Sequence, residues 1–117
     1  MGTERIVENI REVYRNIAIH EVYFALRKLR VHYLHDETVD LVRWCVAIQL
    51  VGFRVTVSLI SYLNKKSPST NRVALHTLGD RGVLISLKKG KGEGPIEWML
   101  STRLLENLPD YNKRGIV

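Results

Sequence analysis

Thr56 to Ser101 reads TVSLISYLNKKSPSTNRVALHTLGDRGVLISLKKGKGEGPIEWMLS, and the spacing of its apolar residues changes along that length. From Val57 to Lys65 the apolar positions are Val57, Leu59, Ile60 and Leu63, a spacing that suits a short half-buried helix. Ser67-Pro68-Ser69-Thr70 follows. A serine before a proline predicts a helix start, because the hydroxyl accepts from the first free N–H groups and the proline takes a position that needs no donor. The new helix is predicted to run from Pro68 to Arg81. It closes at Gly82, where a left-handed residue carries no Cβ penalty. Beyond it the period becomes two. Val83, Ile85 and Leu87 alternate with Leu84, Ser86 and Lys88, and Ile96, Trp98 and Leu100 alternate with Glu97, Met99 and Ser101. Two strands are therefore predicted around the basic, glycine-rich tip Gly90 to Gly94.

Helix, tight turn, helix ending in Arg81-Gly82-Val83-Leu84, then a hairpin: this order resembles the winged helix-turn-helix DNA-binding regulators, the broad MarR-, PadR- and ArsR-like group. Thr56, Ile60, Ser67-Pro68-Ser69-Thr70 and Arg81-Gly82-Val83-Leu84 fall at matching separations. Two positions depart, since Lys66 and Asn71 stand where such proteins usually carry aliphatic residues that pin the two helices together. The resemblance implies an α+β, predominantly helical fold, a winged helix-turn-helix with an N-terminal helical extension. It also implies a role for the wing, whose Lys88, Lys89 and Lys91 would approach DNA phosphates or the adjacent minor groove.

Around the helix that begins at Pro68, Ala74, Leu75 and Leu78 lie on one side, at the spacing that faces a core. Ser69, Arg72, Val73 and His76 lie on the other. These suit a major-groove reader: Arg72 can donate two hydrogen bonds to guanine, Val73 can touch a thymine methyl, and Ser69 and Thr70 sit at a helix N-terminus able to hold a phosphate. Lys65 and Lys66 in the turn complete the candidate DNA-binding set. An ordinary exposed helix face would show the same residue types, and it is the charge distribution that favours the DNA reading. Residues 1–52 hold seven basic and seven acidic side chains, whereas residues 53–117 hold eleven basic and five acidic ones, so the whole net charge of +6 lies in the second part. A basic excess confined to one half is the footprint of a polyanion-binding surface.

Outward toward the N-terminus, Val39 to Val51 predicts a helix apolar on most sides, with Leu41, Trp44, Cys45, Ile48 and Val51 inside. Asp36 or Thr38 would cap it and Gly52 stop it. Phe53 to Val55 is expected to supply a short strand beside the hairpin. From Thr3 to His32, Ile6, Ile10, Val13 and Ile17, then Val22, Leu26 and Leu29, follow helical spacing with a drift around Ala18-Ile19-His20, which one long helix or two consecutive ones fit equally. Tyr14, Tyr23, Phe24 and Tyr33 add more apolar surface than one small domain needs. In the regulators this chain resembles, such helices form the dimer interface, so a homodimer through residues 1–35 is the expectation; capping of the monomer core is the alternative. Residues 36–108 would form the winged domain. A short helix is expected from Thr102 to Leu108, and then a polar tail from 109 to 117, whose composition is compatible with disorder.

His32-Tyr33-Leu34-His35-Asp36-Glu37 brings two imidazoles near carboxylates, as one helix face of a metal site would, but nothing else in the sequence supplies the remaining ligands. The plainer reading is a helix end. The tip Gly90 to Gly94 joins two strands, whereas a nucleotide-binding glycine loop opens a helix. No nucleophile–base pair or spaced carboxylate pair stands out, so no enzyme activity and no cofactor is expected. The single cysteine, Cys45, excludes an intrachain disulfide and a cysteine-based zinc site, and its apolar neighbours predict a buried, inert thiol. No secretory signal pattern opens the chain, and Val39 to Phe53 is interrupted by Asp40, Arg43 and Gln49 and too short to span a bilayer. A cytoplasmic protein with double-stranded DNA as partner and no membrane association is expected, any small-molecule effector being illegible. A winged-helix protein-interaction or assembly module in a replication, segregation or chromatin complex is the alternative.

Overall fold

The apolar drift at Ala18-Ile19-His20 is a break between two helices. In the computed structural model, which describes residues 2–87 and 96–117, α1 spans Gly2–Asn16 and α2 spans Ile19–Lys28. Ala18 between them has an extended backbone (φ −74°, ψ 130°), so the chain turns and each helix directs its own stripe inward. Val7, Ile10, Val13 and Ile17 are buried from the first segment, and Val22, Ala25 and Leu26 from the second. Each such side chain contributes about 1.5–3 kcal/mol when fully buried, if it is as large as valine or isoleucine.

Both helices pack on α3, Asp36–Val51, whose Val39, Leu41, Val42, Trp44, Cys45, Val46, Ala47 and Ile48 are all buried. The helix starts three residues before the predicted Val39. Neither Asp36 nor Thr38 caps it: His35 occupies the cap position with an extended backbone and no side-chain bond, while the Asp36 carboxylate instead accepts from the Tyr23 hydroxyl of α2. Gly52 ends it as expected, left-handed at φ 104°. The charged interruptions of this apolar helix have a structural use. Tyr14 of α1 stacks on Trp44 with ring centroids 3.6 Å apart, the Arg43 guanidinium covers its other face at 4.0 Å, and its hydroxyl donates to Asp40 at 2.6 Å. Arg43 also donates to the Ile17 carbonyl at 2.8 Å, which caps the end of the first segment.

After α3 come α4, Val57–Asn64, and α5, Pro68–Asp80, then an antiparallel pair, β1 (Leu84–Leu87) and β2 (Glu97–Leu100), in the register Leu84↔Leu100 to Leu87↔Glu97. Leu84, Trp98 and Leu100 face the core, and the Gln49 side chain of α3 accepts from Leu100 N at 2.8 Å. The expected third strand from Phe53 to Val55 is reduced to one residue. Val55 exchanges both backbone hydrogen bonds with Trp98, at 3.1 and 2.8 Å, and Phe53 and Arg54 add no further bridge. The last helix, α6, covers Thr102–Glu106 and stops short of the predicted Leu108. The architecture is α+β and predominantly helical.

The segment from 109 to 117, polar in sequence and compatible there with disorder, is docked. Tyr111 is buried at 2 % exposure, Leu108 and Ile116 pack on the core, and Arg114 pairs with Glu21 of α2 at 2.6 Å. No helix among the described residues is long and apolar enough to cross a membrane.

Candidate nucleic-acid interface

The α4–α5 pair is fixed at each end by local chemistry. Thr56 caps α4 by accepting from Leu59 N at 3.2 Å, and Lys65 closes it in the left-handed region at φ 60°. Ser67 then caps α5, accepting from Thr70 N at 3.2 Å, with Pro68 in the first turn. At the far end the chain leaves through Gly82 at φ 77°, with Val83 N bonded to the Leu78 carbonyl at 2.9 Å, the six-to-one bond of a Schellman motif.

Between the helices lies a buried polar contact. Asn71, 1 % exposed, donates to Ser61 Oγ at 2.9 Å and to Asn64 Oδ1 at 3.1 Å, and Asn64 donates back to Asn71 Oδ1 at 2.9 Å. Asn64 Oδ1 also accepts from Lys66 N at 3.0 Å. The residue that departs from the aliphatic pattern of the regulators thus joins the two helices through hydrogen bonds. Buried amides of this kind are compatible with a core when their partners are present.

With Asn71, Leu75 and Leu78 buried, the outward stripe of α5 is exposed at Ser69, Arg72, Val73 and His76, and Val73 keeps 68 % of its surface open. Ala74 is partly buried at the margin. Thr70 is exposed, its hydroxyl accepting from Ser67 at 2.8 Å, and Ser69 lies 3.3 Å from the same Ser67 oxygen. Lys65 is exposed in the turn, whereas Lys66 is half-buried and pairs with Glu37 of α3 at 3.2 Å. Lys66 is therefore not a free cation on this surface. The expected contacts of Lys88, Lys89 and Lys91, and the tip Gly90 to Gly94, lie outside the described residues. His76 meets the Trp98 ring edge-on at 5.1 Å, which ties the outward stripe to β2.

The other sequence-level candidate separates. Leu29 to His35 is not helical, Arg30 and Tyr33 being left-handed at φ 60° and 63°, so His32 and His35 do not share a helix face. Among the described residues no group of three or more His, Cys, Asp or Glu side chains is placed to hold a metal ion. Burial pushes the Cys45 thiol up to about 12. Sequence reasoning missed two features near α5: the bond from Arg81 to the His32 carbonyl at 2.7 Å, which joins residues far apart in the chain, and the full exposure of Tyr33. A groove of about 760 Å³ lies elsewhere, between α2 and residues 107–114, lined by Phe24, Arg27, Leu108 and Pro109. No protein-family model, curated protein or solved structure matches the chain.

Proposed function

We propose that this chain is a winged helix-turn-helix protein that binds double-stranded DNA sequence-specifically as a homodimeric transcription regulator, α5 entering the major groove and the basic hairpin meeting the backbone or minor groove. The observation that carries the reading is the outward stripe of α5. Ser69, Arg72, Val73 and His76 are exposed together on a helix held at both ends and braced by Asn71, within the half of the chain that holds the net positive charge. An arginine and an open valine side by side can read guanine and thymine edges respectively. Support for the homodimer comes from α2, where Phe24 remains 54 % exposed beside the groove that Leu108 and Pro109 complete. The same exposed ring is what favours the second reading, a winged-helix module that assembles with another protein.

Selection of bound duplexes from a random DNA pool, run at two salt concentrations, tests the proposal. Affinity for the selected duplex should fall steeply with salt, because several cations displace phosphate counterions. Arg72→Ala should cost about 1–3 kcal/mol on that duplex and relax specificity at one position. Lys91→Ala should weaken all duplexes alike and make the salt slope shallower by about one. Equal losses for Arg72→Ala on selected and random DNA would place the reading surface elsewhere.

A further inference from the structure

The two flanks of α5 are occupied by different parts of the chain. At 3.6 residues per turn, Gly79 lies just beyond the edge of the outward stripe that Arg72 and His76 form, and Thr70, Ala74 and Arg81 lie beyond its other edge. The hairpin stands on the first side: a Cβ at Gly79 would come within 2.7 Å of the Trp98 ring, and His76 meets that ring edge-on. On the second side Thr70 and Ala74 share a shallow cleft with Glu37, Thr38 and Leu41 of α3, and Arg81 donates to the His32 carbonyl at 2.7 Å. The connection from Arg30 to His35 is thereby tied to α5 on the flank opposite the hairpin.

That connection presents an aromatic ring that none of the described residues covers. Tyr33 is fully exposed, at 101 %, and its ring meets that of His32 edge-on at 6.2 Å. Its backbone is left-handed at φ 63°, a region that L residues other than Asn and Asp seldom adopt, whereas Arg30, left-handed at φ 60°, closes α2 with a six-to-one bond from Val31 N to the Leu26 carbonyl at 3.0 Å. Strained backbone of this kind gathers where the chain aims a group at a partner. Arg30 and Arg81 are exposed cations of this region; the carboxylates near them are Asp36, which accepts from the Tyr23 hydroxyl, Glu37, paired with Lys66 at 3.2 Å, and the exposed Asp80.

We propose that Arg30 to His35 is a second DNA-contacting element, which meets the sugar–phosphate backbone on the side of α5 away from the hairpin through Tyr33 and Arg30. The proposal rests on the reading of α5 as a major-groove helix. A helix about 20 Å long lying in a groove about 12 Å wide has a phosphate strand along each border, so elements on its two flanks face different strands. Tyrosine hydroxyls and arginines are among the side chains that hold phosphates and set register without reading sequence. Arg81 fixes where the connection stands relative to α5.

Tyr33→Gly separates the contact from the fold, since glycine suits the left-handed backbone and removes an unburied ring. The variant should melt no lower than the parent yet bind the selected duplex about five- to tenfold more weakly, the loss of roughly one contact. Hydroxyl-radical protection should disappear on one strand beside the α5 site, with the preferred sequence unchanged. Tyr33→Asn, which also tolerates this backbone, should behave alike and serves if the glycine variant fails to fold. Affinity within about twofold of the parent and an unchanged footprint would overturn the inference. If Arg72→Ala is then still impaired, the DNA reading itself stands. A parent protein that selects no duplex overturns both.

Discussion

Asn71 shows how one residue type decides the geometry of a turn. An aliphatic side chain there would hold α4 and α5 together by packing alone, which tolerates sliding, whereas the paired amides of Asn64 and Asn71 bond only in one relative position. Asn71→Ala would leave Asn64 Nδ2 without this acceptor and Ser61 without this donor, while Asn64 Oδ1 keeps its bond from Lys66 N. The expected loss is about 1–3 kcal/mol, the cost of buried polar groups left unsatisfied, read as a lower urea midpoint. An unchanged midpoint would show that packing, not hydrogen bonding, holds the turn. Lys65, a few residues before it, works in the opposite sense. Its left-handed backbone suits glycine better than lysine, so Lys65→Gly should stabilise the fold by about 0.5–1 kcal/mol after glycine's own entropy cost. If the DNA reading holds, the same substitution weakens duplex binding and lowers the salt slope by about one. Stability and binding moving together would argue against a functional reason for this lysine.

At the scale of elements, α5 and β2 meet at a point where no side chain fits. A Cβ at Gly79 would lie 2.7 Å from Trp98 Cζ3, and the indole is buried, so either α5 or the ring would have to shift. Alanine would gain about 1 kcal/mol of helix propensity over glycine, but overpacking against a rigid ring costs about 1–3 kcal/mol, so Gly79→Ala is expected to destabilise. A raised melting temperature would mean that the strand can shift away. The elements legible in the sequence are those whose signals are local: Ser67 as a cap, Pro68 as the first turn, Gly52 and Gly82 as stops. What stayed hidden depends on partners distant in the chain. The start of α3 at Asp36 carries no side-chain cap, and that carboxylate serves Tyr23 instead. Phe53 to Val55 has strand composition, yet only Val55 finds a partner opposite Trp98. The outward face of α5 followed from periodicity alone, but its two flanks did not, since Arg81 and His32 stand 49 residues apart.

Across the whole molecule, three weak acids keep their protons to high pH: half-buried Tyr14 and the buried Tyr111 and Cys45. Tyr14 joins α1 to α3, Tyr111 seats the C-terminal segment near Glu21 of α2, and Cys45 lies in the centre of α3. The pKa of each is pushed up to about 12, chiefly by burial, with the Asp40 hydrogen bond adding to Tyr14 and the Glu21 carboxylate to Tyr111. Among the described residues no hydrogen bond of normal geometry reaches the buried Tyr111 hydroxyl, and with the Glu21 carboxylate near it an ionised form would be poorly accommodated. The sign of the pH dependence follows from linkage. Unfolded, the thiol ionises near 9.0 and the phenols near 10.0, while the folded state holds all three protons until about pH 12. The folded state binds more protons across that interval, so its stability is fully present below about pH 9 and falls as pH rises toward 12. Urea midpoints should therefore be level from pH 7 to 9 as far as these groups govern them, and decline beyond. Tyr14→Phe, which removes one of the titrating groups, should flatten the decline between pH 10 and 12 even though it lowers stability at pH 7 through the lost bond to Asp40. Parallel pH profiles for parent and variant would show that the Tyr14 phenol ionises in the folded state as readily as in the unfolded one, and that the stack on Trp44 does not shield it.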